Sequence, residues 1–367
     1  MRVGLDGTPL LGARTGVGRY VEHLVRELAV RDGLDLVVTA FTLRGGAGLP
    51  AAVPPGVAVR HRPAPARALR AAWGRAELPP VEWLTGRLDV FHGTNFVLPP
   101  LRRAGGVVTV HDLSYLRYPG TVAAASRRYR ELVPRGLRRA AVVLTPSRAV
   151  ADEVRAEYGL GDRVVATPLG VDPAWFGAVP PDPAWLAGRG LPERYLLFVG
   201  TVEPRKGLPG LLRALRLLHD DDRSTPPLVL AGPPGWGPAL ETSALPAGAV
   251  RTAGYLDSAD LRRAVAGAAA LAFPSRYEGF GLPPLEAFAT GTPVVASDLP
   301  VVREVTGDLA ELVAVGDDAG LAAALRKVLA GDGGPVARAA RQAHARAFSW
   351  TATAEATHAA YTSAAGG

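Results

Sequence analysis

Phe273-Pro274-Ser275-Arg276-Tyr277-Glu278-Gly279-Phe280-Gly281-Leu282-Pro283-Pro284-Leu285-Glu286 follows an apolar run, Ala268 to Phe273, and leads into what reads as a helix. The apolar run reads as a buried strand. Pro283 and Pro284 suit the first turn of a helix, where a backbone N–H has no intrahelical partner to lose. Gly279 and Gly281 let the main chain approach a ligand closely. The free N–H groups at such a helix start favour an anion. Glu278 and Glu286 stand on either side of the turn. A carboxylate repels phosphate, so the glutamates suit hydroxyl groups and the turn between them suits the phosphate. A diphosphate flanked by a ribose and a hexose offers both parts.

A second stretch complements the first. In Phe198-Val199-Gly200-Thr201-Val202-Glu203-Pro204-Arg205-Lys206-Gly207, two adjacent cations sit in a loop between a strand and a helix. Fixed cations there suit a pyrophosphate leaving group, whose charge grows as a glycosidic bond breaks. Arg offers a bidentate fork and Lys a point charge. Lys206 is one of only two lysines in an arginine-biased chain, Lys327 being the other. Two further segments end strands in the first half. Gly12-Ala13-Arg14-Thr15-Gly16-Val17-Gly18 follows the first strand but lacks the third glycine of a dinucleotide fingerprint, so NAD is not expected. Thr109-Val110-His111-Asp112 puts His111 at a strand's carboxyl end, where ligands bind in open α/β sheets. His92 ends a neighbouring strand and is a weaker acceptor-side candidate.

Glu278 and Glu286 form a Glu-x7-Glu pattern, and with Glu203-Pro204-Arg205-Lys206-Gly207 the chain resembles the retaining glycosyltransferases of the GT-B fold, glycosyltransferase family 4 (glycosyltransferases group 1). The resemblance implies that Arg205, Lys206 and the N–H groups of Phe280, Gly281 and Leu282 hold the donor diphosphate. It implies that Glu286 binds the ribose, while Glu278 and His111 position the sugar. Gly16, Gly18, Gly200, Ser275 and Gly279 complete the donor-binding set, and the loop of Tyr255 and Leu256 meets the nucleotide base. The reaction it implies is hexose transfer on one face of the sugar, with the departing phosphate oxygen taking the acceptor proton. No metal is needed, since Arg and Lys supply the positive charge. Thr201 stands where some members carry a phosphate-binding Arg. The Gly-Thr-x-Glu-Pro-Arg-Lys form is similar to mannosyltransferases, so GDP-mannose leads as donor and a UDP-hexose follows. The acceptor is a glycan, a lipid-linked glycan or a small molecule. The alternatives are a nucleotide-sugar epimerase or hydrolase of the same fold, or a non-catalytic partner subunit.

The rest of the chain fits such an architecture. With 367 residues and 48% apolar content it can bury two cores. Strands are expected at Val3–Leu5, Leu34–Phe41, Val90–His92, Val107–His111, Val142–Thr145 and Val164–Thr167. A second series follows at Tyr195–Val199, Leu228–Ala231, Val250–Ala253, Leu271–Phe273 and Val294–Ala296. Amphipathic helices fill the gaps, which predicts doubly wound parallel sheets. The expected division is an acceptor-binding Rossmann-like domain over 1–175, a linker over 176–193 and a donor-binding Rossmann-like domain over 194–350. By resemblance, 351–367 packs back onto the first domain and the two sheets face a cleft.

Cysteine is absent, which excludes disulfides and thiolate metal sites. Asp6 interrupts any leader-like apolar run, and no apolar stretch nears the roughly 20 residues of a membrane span, so a cytoplasmic protein is expected. The net charge of +7 goes with heavy Ala, Gly, Arg and Pro use, which reads as a coding bias more than a nucleic-acid surface. Arg127, Arg128, Arg130, Arg135, Arg138 and Arg139 form one local cluster. It is either a solvated helix face or a peripheral contact with the inner membrane face. Asp220-Asp221-Asp222 has the form of a metal motif from another fold but reads as a solvated loop.

Overall fold

The computed structural model describes residues 1–12, 16–122, 126–237, 239–331 and 334–366. The chain divides into two compact units, Met1–Gly170 with Ser349–Gly367, and Val171–Phe348. In the first, strands β1 (Arg2–Asp6), β2 (Asp35–Thr39), β3 (Ala58–Val59), β4 (Val90–Gly93), β5 (Gly105–Thr109), β6 (Val142–Thr145) and β7 (Val164–Ala166) form one parallel sheet. Their order is β3-β2-β1-β4-β5-β6-β7. In the second, β8 (Leu196–Val199), β9 (Leu228–Ala231), β10 (Val250–Gly254), β11 (Ala270–Phe273), β12 (Val294–Ser297) and β13 (Glu311–Val313) follow the order β10-β9-β8-β11-β12-β13, again all parallel. Strand order reverses between β8 and β11. Ligands of open α/β sheets bind at the carboxyl ends of the strands at such a point. The loops that leave β8 and β11 carry Arg205, Lys206 and Glu278.

Both faces of the central strands are covered, so they read as continuous apolar runs rather than alternating ones. Leu196, Leu197 and Phe198 of β8 are wholly buried. Against them lies the helix Leu208–Asp221, which buries Leu208, Leu211, Leu215 and Leu218 at three- and four-residue spacing. Each such leucine contributes about 1.5–3 kcal/mol by leaving water.

Several boundaries differ from the sequence expectation. β5 spans Gly105–Thr109 rather than Val107–His111, so His111 lies two residues beyond the strand. The short strands β3 and β13 were not expected: two or three half-buried residues leave no readable period. Gly16 and Gly18 belong to the first turn of the helix Gly16–Ala29, not to a loop ahead of it. Ala13, Arg14 and Thr15 of that motif lie outside the described residues. Residues 176–193 are not plain linker. They contain the helix Pro183–Gly188, whose Asp182 cap accepts from the Trp185 N–H at 2.8 Å. They also belong to the second unit.

The last helix, Trp350–Ala365, packs within the first unit. Thr353 Oγ1 donates to the Pro168 carbonyl at 2.6 Å. Trp350 stacks on His23 with ring centroids 4.7 Å apart. Gly105 allows a close approach, since a Cβ there would lie 2.1 Å from the Ala364 carbonyl oxygen. No helix among the described residues is long and apolar enough to cross a membrane.

Candidate active site

Glycines set the site's backbone. Gly200, just past β8, takes φ +150 and packs against Gly232, where a Cβ would meet the Gly200 oxygen at 2.1 Å. Gly207 closes the turn Pro204–Lys206 at φ +71, and a Cβ there would sit 2.0 Å from the Pro274 oxygen. The β8 loop can therefore lie directly on the β11 loop. A main-chain bond from the Arg276 N–H to the Arg205 oxygen, 2.8 Å, joins the two.

That seam gathers four charged side chains. Arg205 donates to Glu203 Oε1 at 2.7 Å, Glu278 Oε2 at 3.1 Å and the Tyr277 carbonyl at 2.7 Å. Lys206 Nζ donates to Glu278 Oε1 at 2.6 Å and lies 5.6 Å from the centre of the Phe273 ring. The side chains of Arg205, Lys206 and Glu278 are 15%, 13% and 9% exposed. Burial alone would raise the Glu278 pKa, but Lys206 first and Arg205 second outweigh it and hold it at about 2. Both cations thus meet a carboxylate. A ligand that brings its own negative charge can take Glu278's place on them.

Beyond Glu278 the chain enters the helix Leu282–Thr290. Gly281 precedes it at φ +118, and no side chain caps the helix. Pro283 and Pro284 have no N–H to offer. The amides left at this end belong to Phe280, Gly281 and Leu282, and among the described residues they donate to no acceptor. Phe280 and Leu282 are buried. Buried amides without partners cost free energy, and here they converge where the dipole of the helix favours an anion. Nearly every residue of this helix is buried, so Glu286, 3% exposed, is not a surface acid. A carboxylate kept in that position needs a hydrogen-bonding role to offset its desolvation.

The other expected residues fall in separate places. Ser275 is wholly buried two residues past β11. Tyr255, 58% exposed, and Leu256 follow β10. Asp257 then caps the next helix through the Ala259 and Asp260 N–H groups, both at 2.9 Å. In the first unit, His111 is largely buried, 9% exposed. Its ring lies between Tyr20 and Phe96, with centroids 5.2 and 5.5 Å away. Its Nε2 meets the Thr94 carbonyl at 2.9 Å, and burial lowers its pKa. A neutral ring that donates from Nε2 keeps its lone pair on Nδ1. His92 is corrected more fully: it is a core residue, bonded at 2.7 Å to Tyr361 through Nδ1 and at 2.7 Å to Thr109 through Nε2.

Glu203 joins the seam without a role of its own in the motif; its position two residues ahead of Arg205 is the available sign. Phe96, left-handed at φ +63 and stacked 4.6 Å from Tyr129, gave no sign at all. Asp220, Asp221 and Asp222 do not converge. They pair with Arg216, pair with Arg326 and accept from Ser224, respectively. No group of three or more His, Asp or Glu among the described residues could hold a metal ion. A cavity of about 330 Å³ is lined by Glu203, Pro204, Gly207, Pro274 and Arg276, but not by Lys206, Glu278 or Glu286. It backs onto the charged seam rather than containing it.

Buried cations and open amides at the switch point of one of two parallel sheets suit a diphosphate that must be held while its sugar departs. Such an enzyme is a glycosyltransferase of the GT-B class, working on a nucleotide-sugar donor. Residues 187–346 match the glycosyl transferases group 1 model and residues 15–170 the glycosyl transferase 4-like domain model. The chain is 34% identical over 271 residues to O-antigen chain mannosyltransferase B of Escherichia coli, covering 71% of each. It is 32% identical to D-inositol 3-phosphate glycosyltransferase of Kineococcus radiotolerans, covering 95% of this chain and 90% of that one. It belongs to the group 1 glycosyltransferases. Among solved structures, sucrose-phosphate synthase of Thermosynechococcus elongatus superposes with a TM-score of 0.75 at 20% identity, covering 99% of this chain and 98% of that one. HepE of Anabaena in complex with UDP gives 0.69 at 18% identity, covering 99% of both.

Proposed function

We propose that the enzyme is a retaining mannosyltransferase that moves mannose from GDP-mannose to a hydroxyl of a glycan, free or lipid-linked. The observation that carries the reading is the seam of Arg205, Lys206 and Glu278 beside the open amides of Phe280, Gly281 and Leu282. On this reading the diphosphate displaces Glu278 from the two cations and takes the three amides. Glu278 then accepts from hydroxyls of the mannose, and Glu286 from those of the ribose. Gly200, Ser275 and Gly279 line the donor, and the Tyr255–Leu256 backbone meets the base. His111 contributes its Nδ1 lone pair to a sugar hydroxyl. As the glycosidic bond breaks, negative charge grows on the phosphate oxygen, where Arg205 and Lys206 stabilise it. That oxygen accepts the acceptor's proton as the new bond forms on the same face. The likeness to O-antigen mannosyltransferases supports mannose over other hexoses. A UDP-hexose is the second choice of donor.

A thermal-shift panel of GDP, UDP, TDP and ADP sugars tests the donor. GDP-mannose is expected to raise the melting temperature most, with the gain abolished in Lys206→Ala. Proton NMR of the product then reads the anomeric configuration. A panel in which no nucleotide sugar stabilises the protein, or an inverted product, overturns the corresponding part of the reading.

A further inference from the structure

The first unit holds a second basic feature, built from residues given no role above. A cavity of about 470 Å³ has Arg2, Arg60, His61, Arg62 and Arg87 in its lining. It brings together the start of β1, the chain leaving β3 and the approach to β4. Four of the nine lining residues are arginines and none is acidic.

Some arginines of this protein find carboxylates, as Arg26 does with Glu22 and Arg189 with Asp260. Asp35 approaches Arg2 Nε at 3.4 Å. Arg60, Arg62 and Arg87, by contrast, have no carboxylate partner among the described residues. The segment carrying two of them is fixed. The Arg60 N–H donates to the Val38 oxygen at 3.0 Å, and His61 Nδ1 meets the Ala40 oxygen at 3.1 Å. Gly46 makes room for that histidine, since a Cβ there would lie 2.0 Å from His61 Nε2. Arginines held around one hollow repel one another, and the free energy of that repulsion is recovered when an anion enters. The planar fork of each guanidinium matches two phosphate oxygens at once.

We propose that this cavity is a phosphate-binding site, separate from the donor seam, for a phosphorylated ligand or the phosphate headgroup of a lipid. The probe is inorganic pyrophosphate, titrated calorimetrically into the full-length protein. Wild type is expected to bind it, more weakly as salt rises. Arg60→Gln/Arg62→Gln/Arg87→Gln is expected to lose one class of site, its affinity falling by roughly tenfold or more. Lys206→Ala should retain that class. These exposed substitutions should leave nucleotide-sugar binding unchanged, so failure here and failure of the donor reading are told apart. Vesicles of phosphatidylcholine with and without phosphatidylglycerol name the source. Binding to the anionic vesicles that the triple variant loses and pyrophosphate competes away identifies a headgroup. Pyrophosphate binding without vesicle binding identifies a soluble phosphorylated ligand. Pyrophosphate binding that is absent, or unchanged in the triple variant, overturns the proposal.

Discussion

Arg205 and Lys206 share Glu278 through two short polar contacts, a third joins Arg205 to Glu203, and the ionisation of Glu278 governs that seam. Its pKa is held at about 2, below its ordinary 4.5, so its contribution is fully present above pH 4.5 and is lost as pH falls through 2. Glu278→Gln leaves two buried cations under-compensated and should cost about 3–5 kcal/mol at neutral pH. Urea unfolding at a series of pH values checks this: the gap between wild type and variant should close only as pH drops from 4.5 towards 2. A gap that closes near pH 6 would mean the carboxylate is not held by these cations. Arg205, Lys206, Glu278 and Glu286 were legible because each lies in a short motif whose spacing carries its chemistry. Glu203 and Phe96 were not. The one acts through a fold-dependent contact with Arg205, the other through a backbone angle that its sequence does not encode.

At the level of elements, the close approach of loops explains more than their composition does. Gly207→Ala would both force a left-handed φ on alanine and drive its Cβ to 2.0 Å from the Pro274 oxygen. The β8 and β11 loops would separate, so the variant should fold but bind nucleotide sugar at least about tenfold more weakly, as measured by calorimetry. A second element-level network runs from Tyr20 in the helix Gly16–Ala29 through Thr109 and His92 to Tyr361 in the last helix, with contacts of 3.0, 2.7 and 2.7 Å. Burial first, and nearby His111 second, press the His92 pKa from 6.5 down to about 3. The unfolded chain therefore takes up a proton that the folded one refuses. Stability should be complete above pH 6.5 and decline as pH falls towards 3, by about 2 kcal/mol already at pH 5. His92→Gln should flatten that slope in urea titrations at pH 7.5 and 5. Sequence placed His92 at a strand end and suggested a ligand. The helix that covers it arrives from 269 residues away, a pairing no local pattern announces. The strands and helices themselves were legible because fully buried parallel strands read as apolar runs between capped amphipathic helices. Ser147 caps one such helix at its start and Gly159, left-handed, closes its end.

At the scale of the whole molecule, each unit carries a complete parallel sheet, yet the first is completed by the end of the chain. The donor seam lies wholly in Val171–Phe348, whereas the helix Trp350–Ala365 belongs to the first unit. Damage to that helix should therefore lower stability without touching donor affinity. Tyr361→Phe removes the hydroxyl that meets His92 Nδ1 and leaves a buried ring nitrogen unpaired, at a cost of about 1–3 kcal/mol. Gly105→Ala acts on the opposite partner, forcing a methyl to within 2.1 Å of the Ala364 oxygen, and backbone there can yield only if the helix shifts. Both variants should unfold at lower urea concentration than wild type, while calorimetric affinity for the nucleotide sugar stays the same. A change in donor affinity in both would show instead that the last helix communicates with the second unit. The division of the chain would then be one of packing alone and not of function.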